Sequence, residues 1–139
     1  MSLRYLLDTN IVTEALRPAP NPVVLQNLRH NAQHLAIPAV VWHELWFGCL
    51  RLPLSQRRTV IEAYLNDVVA ATMPILPYDS ACAAWHAAER ARLGRSGLTP
   101  SFSDGQIAAV AAVNRLTLVT FNSADFANFA NLHIEAWHG

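Results

Sequence analysis

The sequence predicts an α/β fold, with a mostly parallel central sheet of about five strands and helices on both faces. Five short apolar runs recur along the chain, at Arg4 to Leu7, His34 to Ile37, Ile75 to Tyr78, Leu116 to Thr120 and His133 to Ala136. Longer segments of helical periodicity separate them, and this alternation marks parallel strands joined by helical crossovers. Polar residues, Asp8 after the first run and Asn122 with Asp125 after the fourth, fall where such sheets collect their ligands, beyond the carboxyl ends of the strands.

Each element has its own signals. The run Tyr5-Leu6-Leu7 stops at Asp8 and leads through Thr9-Asn10 into a helical pattern. Pro22 to His30 has Pro at a first helical position and Val24, Leu25 and Leu28 on one side, which reads as an amphipathic helix. Ala39 to Leu50 has the length of a helix and ends near Pro53, while Leu54 to Val69 carries Val60, Ile61, Tyr64, Leu65 and Val68 at helical spacing. These two are expected to form a helical pair. Asp79 precedes an Ala-rich helix, Ser80 to Leu93, that Gly94 is expected to close, so Asp79 reads as an N-cap. Arg95 to Ser101 reads as a loop and Ser103 to Asn114 as a strongly apolar helix.

Length and charge narrow the possibilities. The 139 residues fit one domain, 1–139, with no repeat, linker or low-complexity tract. Ten basic and ten acidic residues balance, so any polyanion partner must be met by a local basic patch rather than a global field. All ten basic residues are Arg. The absence of Lys removes the phosphate-loop Lys, the Schiff-base Lys and the Lys of receiver domains. Cys49 and Cys82 lie in apolar helical patterns and read as buried free thiols of a reducing compartment. No stretch reaches the roughly eighteen apolar residues that a membrane span needs, and the N-terminus lacks a basic flank before a long apolar core, so a cytoplasmic protein is expected. The hydrophobic share, 53%, points to apolar surface covered by a partner.

The acids carry the chemistry. Glu44 sits within Trp42-His43-Glu44-Leu45-Trp46-Phe47-Gly48, where an unpaired carboxylate would be costly to desolvate, and Gly48 one turn on leaves room for an approach to it. A zinc-protease pattern fails here because the second His would fall on Phe47. Asp104 lies in the first turn of its helix, three residues after Ser101, which explains it as a capping partner or aims it toward the crevice that Asp8 faces. Two carboxylates at 4 Å repel by about 4 kcal/mol at an effective dielectric of 20. A cluster of three or four therefore calls for a cation. With oxygen donors only, that cation is Mg²⁺ or Mn²⁺, and phosphodiester hydrolysis is the reaction class that follows.

Four motifs in order, Leu6-Leu7-Asp8-Thr9-Asn10, Glu44-x-x-x-Gly48, Asp104-x-x-Ile107-Ala108-Ala109 and Val119-Thr120-x-Asn122-x-x-Asp125-Phe126, resemble the PIN-domain ribonucleases over nearly the whole chain. Leu16-Arg17-Pro18-x-Pro20-Asn21 and the closing Trp137 are most similar to the VapC/FitB-like toxins. The resemblance implies a three-layer α/β/α PIN-like fold and a Mg²⁺- or Mn²⁺-dependent endoribonuclease cleaving RNA. It also implies inhibition by a cognate antitoxin, and a homodimer or a heterotetramer or larger with it. It gives Asp8, Glu44, Asp104 and Asp125 as the catalytic set, with Asp8 and Asp104 as direct metal ligands and Glu44 binding directly or through water. Thr9, Thr120 and Asn122 are the supporting shell; Thr9 alternatively caps the first helix. Some relatives carry Asp where this chain has Asn122, and Asp125 either compensates or only holds the loop.

Two other readings stay open on the residues. One is a catalytically weak RNA- or protein-binding module on the same fold. The other is a different metal phosphohydrolase, disfavoured because the position two after Asp8 is Asn10 rather than Asp. Each Arg, and each of Trp42, Trp46, Phe47 and Trp85, reads individually as solvated face, core or interface. An antitoxin peptide is expected across apolar surface near Leu16, Val23, Leu28, Trp46 and Phe47.

Overall fold

The computed structural model describes residues 2–137; Met1, His138 and Gly139, the ends of the expected 1–139 domain, lie outside the described residues. All five expected strands form: β1 Tyr5–Leu7, β2 Leu35–Pro38, β3 Ile75–Leu76, β4 Thr117–Val119 and β5 Ile134–Glu135. They make one sheet in the order β3-β2-β1-β4-β5, every neighbouring pair parallel. The register sets Leu6 against Ala36 on one side and against Leu118 on the other. The central strands are apolar at every position but Thr117 because both faces are covered, and Leu6, Leu7, Leu118 and Val119 are fully buried. Each such Leu contributes on the order of 1.5–3 kcal/mol by leaving water.

The helices are α1 Thr9–Thr13, α2 Pro22–His30, α3 Ala39–Leu50, α4 Gln56–Tyr64, α5 Ala70–Thr72, α6 Ser80–Arg95, α7 Phe102–Val113 and α8 Ser123–Phe126. From β1 the chain steps through β2 to β3 in one direction, then crosses back past β1 to β4 and β5. Right-handed crossovers therefore put the early helices on one face of the sheet and the later ones on the other. The direction reverses between β1 and β4, so the crevice of this fold opens at the carboxyl ends of those two strands.

The expected helix boundaries at Leu54 and Gly94 shift, each for a local reason. The expected helix from Leu54 begins only at Gln56, because the Ser55 hydroxyl accepts the Arg58 N–H as an N-cap and Leu54 is left 86% exposed. It then passes through one π-helical turn, Leu65–Val69, which keeps Leu65 and Val69 buried. Gly94 does not close its helix, which runs on to Arg95. The residue that turns the chain is Gly97, at φ +77°; its N–H donates to the Gly94 carbonyl while the Leu98 N–H donates to that of Leu93. Only the αL position of this closing motif asks for glycine, and Gly94 is not at it. Asp79 caps α6 as expected, accepting the Cys82 N–H, and Cys49 and Cys82 are buried free thiols. Among the described residues no helix is long and apolar enough to cross a membrane.

Candidate active site

Asp8 is the last polar stop of β1 and also the N-cap of α1, and its two oxygens divide these duties. Oδ1 accepts the Thr9 N–H at 2.8 Å, while Oδ2 accepts the Thr120 hydroxyl at 2.8 Å from the end of β4. The backbone adds its own tie, because the Asp8 N–H donates to the Val119 carbonyl at 3.0 Å. The side chain is thus fixed at the point where the sheet reverses direction, and Asp8 is 9% exposed. Thr120 is fully buried, and its oxygen also accepts the Asn122 N–H at 3.0 Å.

Glu44 reaches the same end from the second turn of α3. Its Oε2 accepts the Thr9 hydroxyl at 2.7 Å, which meets the need of a half-buried carboxylate for a partner. Thr9 therefore does not cap α1 with its side chain. Asp8 caps, and Thr9 joins Asp8 to Glu44 through its backbone and its hydroxyl. A Cβ built at Gly48 meets nothing within 4 Å, so the face one turn beyond Glu44 is open.

Asp104 lies in the first turn of α7, where the Ser101 hydroxyl accepts its N–H at 3.1 Å. Both readings of this residue hold together: it is part of the cap and it faces the acids. Burial raises its pKa above the ordinary aspartate value. Ser101 opposes that rise, and the negative charges of Asp125, Asp8 and Glu44 add to it. The four expected acids thus share one electrostatic environment. Among the described residues, however, no three His, Cys, Asp or Glu side chains stand together as a ready metal cage. Asp125 is exposed on the one-turn helix α8. Asn122 is exposed too, and its hydrogen bond to Thr120 is made by its backbone.

A groove of about 710 Å³ runs from this acidic end, with Thr9 and Glu44 on its wall and Leu16, Leu45, Val60, Ile61, Arg17 and Arg57 further along. Of the residues expected beneath a partner peptide, Leu16 lines it. Trp46 and Phe47 line a second, shallower hollow on α3, and Val23 and Leu28 line neither. The arginines divide in the same way. Arg58 is held by Glu62 and the Leu52 carbonyl, Arg92 by Glu89, Arg51 lies over Phe47 and Arg90 over Phe102. Arg57 projects at the groove. Trp42 packs edge-on to Trp46 and Trp85 lies against Phe129, as the helical spacing of these rings suggested.

Glu89 and His86 are among the buried polar residues that escaped sequence reasoning. Glu89 is 8% exposed; it takes both the Nε and an Nη of Arg92 at 2.8 and 2.9 Å and the Ala130 N–H at 2.6 Å. His86 is 4% exposed beneath the first turn of α7, with Nδ1 at 2.8 Å from the Tyr78 hydroxyl. No local signal marks either one, since the Ala-rich sequence of α6 has no apolar stripe that tells its buried face from its exposed one. The sole hint for His86 is Gly105, a glycine in the first turns of a helix otherwise rich in Ala and Val.

Comparison with known proteins agrees with this fold. The chain is 30% identical over 136 residues to Toxin FitB of Neisseria gonorrhoeae, covering 96% of this chain and 98% of that protein. It is 30% identical to Ribonuclease VapC2 of Haemophilus influenzae, over 97% and 98% of the two chains. Among solved structures, FitAcB from Neisseria gonorrhoeae superposes with TM-score 0.86 at 30% identity over 94% of this chain and 95% of the other. VapBC2 from Rickettsia felis, bound to a DNA fragment from its promoter, superposes with TM-score 0.82 at 29% identity over 99% of each chain. The PIN domain profile matches residues 5–132, and the chain, with its acids gathered at the carboxyl ends of β1 and β4, belongs to the PIN-domain family.

Proposed function

We propose that this chain is an endoribonuclease that acts as the toxin of a toxin–antitoxin pair, hydrolysing RNA phosphodiester bonds at the acidic end of the sheet. The observation that supports it most is the gathering of Asp8, Glu44, Asp104 and Asp125 at one end of the sheet, where the other three charges add to the effect of burial on Asp104 and a bound cation would offset the repulsion. Relatives that carry the names of a toxin and a ribonuclease over their full length support the biological role.

The donor set fits a hard divalent ion, Mg²⁺ or Mn²⁺, since every candidate ligand is an oxygen. Mg²⁺ keeps several waters and takes one or two carboxylates, so a full protein cage is not required. Asp8 and Asp104 would hold it, with Glu44 directly or through water. Held by these residues, such an ion would supply Lewis-acid chemistry, activating a water at neutral pH and offsetting the charge on the phosphodiester oxygens. The chain's own residues do the rest. Thr120 fixes the rotamer of Asp8 and Thr9 fixes that of Glu44, so two of the carboxylates are set before any ligand arrives. Asp125, exposed beside them, adds charge to the cluster.

The groove that begins at Glu44 and Thr9 suits a peptide with apolar side chains and one basic residue aimed at the acids, which is the chemistry of an inhibitory antitoxin segment. Exposed Phe47, Leu50 and Val60 on α3 and α4 suit further association, as a homodimer or a larger assembly with the antitoxin.

The test is cleavage of a mixed RNA pool by the purified chain with Mn²⁺ or Mg²⁺, set against EDTA and against Asp104→Asn. Metal-dependent cleavage that Asp104→Asn abolishes is the expected result. Binding of RNA without cleavage under either metal, by a folded chain, would replace the nuclease with a binding module.

A further inference from the structure

The first turn of α7 is held from two directions. Ser101 caps it at its tip, and from the side the His86 ring presses against the backbone of Gly105, the residue next to Asp104. A Cβ placed on Gly105 would fall 2.0 Å from His86 Nε2, 2.6 Å from Cδ2 and 2.8 Å from Cε1. Those three atoms form one edge of the imidazole, so the ring meets the helix edge-on at a distance only glycine permits. The opposite edge is fixed as well, since Nδ1 lies 2.8 Å from the Tyr78 hydroxyl, and Phe102 leans on the ring at a centroid distance of 4.8 Å. Tyr78 belongs to the segment between β3 and α6. A continuous strut therefore runs from Tyr78 through His86 to the backbone beside Asp104.

We infer that Tyr78 and His86 are positioning residues for Asp104, acting through Gly105 to fix where the first turn of α7 presents that carboxylate. This rests on the reading of Asp104 as a metal-binding acid. A buried histidine needs a partner for Nδ1 in any case, but one that merely filled space would not need a glycine opposite its other edge. A carboxylate on a first turn is displaced by any rotation of that turn, and displacements near 1 Å are enough to spoil a metal or catalytic site.

The experiment compares Tyr78→Phe, Gly105→Ala and the double variant Gly105→Ala/His86→Ala with the parent, each checked for folding by circular dichroism. Mn²⁺ binding is followed by electron paramagnetic resonance, and amide exchange in the first turns of α7 is followed alongside it. Tyr78→Phe keeps the ring and removes one hydroxyl, and it is expected to weaken Mn²⁺ binding roughly 10-fold, the scale of a lost supporting contact behind a metal ligand. Gly105→Ala is expected to weaken it more. The double variant, with space for the added methyl, should bind better than Gly105→Ala alone. Parent-like Mn²⁺ affinity in folded Tyr78→Phe and Gly105→Ala overturns the inference, and if Gly105→Ala does not fold, Tyr78→Phe decides by itself. If the parent binds no Mn²⁺, the metal reading of the site fails. Exchange then decides the strut alone: faster exchange at Gly105 to Ile107 in Tyr78→Phe upholds it, and unchanged exchange removes it.

Discussion

A buried acid, Glu89, and a half-buried one, Asp104, lie on neighbouring helices and have opposite electrostatics. Glu89 on α6 is enclosed by a guanidinium and a backbone N–H, and its pKa is held below the ordinary glutamate value, chiefly by the hydrogen bonds from Arg92. Asp104 on α7 has one serine and faces three carboxylates, and its pKa is raised, chiefly by burial. Both side chains leave water, yet one gains partners on folding and the other gains repulsion. The first arrangement holds the chain together: Glu89 joins α6 to Ala130, and Arg92 reaches on to the Asn128 carbonyl. The second opposes folding while the carboxyl is ionised, and either a proton or an added positive charge relieves it. A strained acid among acids is thus a mark of function, and a satisfied one is a mark of structure.

Exchanging charge for amide should separate the two. Asp104→Asn is expected to lower RNA cleavage by about 100-fold or more, on the scale of losses at metal sites, while the melting temperature of the metal-free chain stays level or rises. Glu89→Gln should do the reverse: cleavage per folded molecule is kept, and stability falls by about 2 kcal/mol in urea titration, because a buried partner of Arg92 is lost. That figure lies below the usual cost of breaking a buried pair because the Arg92 side chain is 45% exposed.

Acid titration sharpens the contrast, with opposite signs. The lowered pKa of Glu89 gives stability that is full above the unfolded value of about 4.3 and disappears as pH falls through the lower folded value. The deficit of Glu89→Gln should therefore shrink in that acid window. The raised pKa of Asp104 imposes a penalty that is full above its folded pKa and disappears as pH falls through it toward the unfolded value of about 3.9. Any stability advantage of Asp104→Asn should therefore be present at neutral pH and vanish in acid. Profiles of the two variants running in the same direction would contradict this account.

Smaller changes probe the supports. Thr120→Val removes the hydroxyl held by Asp8 in a fully buried position, and a roughly 10-fold loss of cleavage is expected, recovered in part by raised metal concentration. Arg92→Lys keeps the charge but loses the paired hydrogen bonds to Glu89, and a drop in the urea midpoint smaller than that of Glu89→Gln should follow.

Much of this is legible in the sequence because it is encoded locally. The five strands, the caps at Asp79 and Ser101 and the acids beyond β1 and β4 each announce themselves within a few residues. The ordered motifs then place the chain in its family. What is not legible comes from distant packing. Glu89 resembles any solvent-facing acid among its neighbours Ala88 and Arg90, and becomes buried only because the segment around Phe129 and Ala130 returns across α6. His86 is hidden for the same reason, since its partner Gly105 belongs to another helix. The peptide contacts expected at Val23 and Leu28 miss the grooves because α2, though amphipathic, lines neither of them. Gly94 misleads in a simpler way, as the chain turns at the next glycine instead.

The sheet ends in two-residue strands, β3 on one side and β5 on the other. Such short borders give an incoming chain almost no backbone to pair with, which protects against edge-to-edge aggregation. They also close the route by which many proteins capture an extended peptide as an extra strand. An inhibitory partner of the kind proposed above would then recognise it chiefly through side chains, on helices and in grooves, with its specificity written in shape more than in main-chain hydrogen bonds.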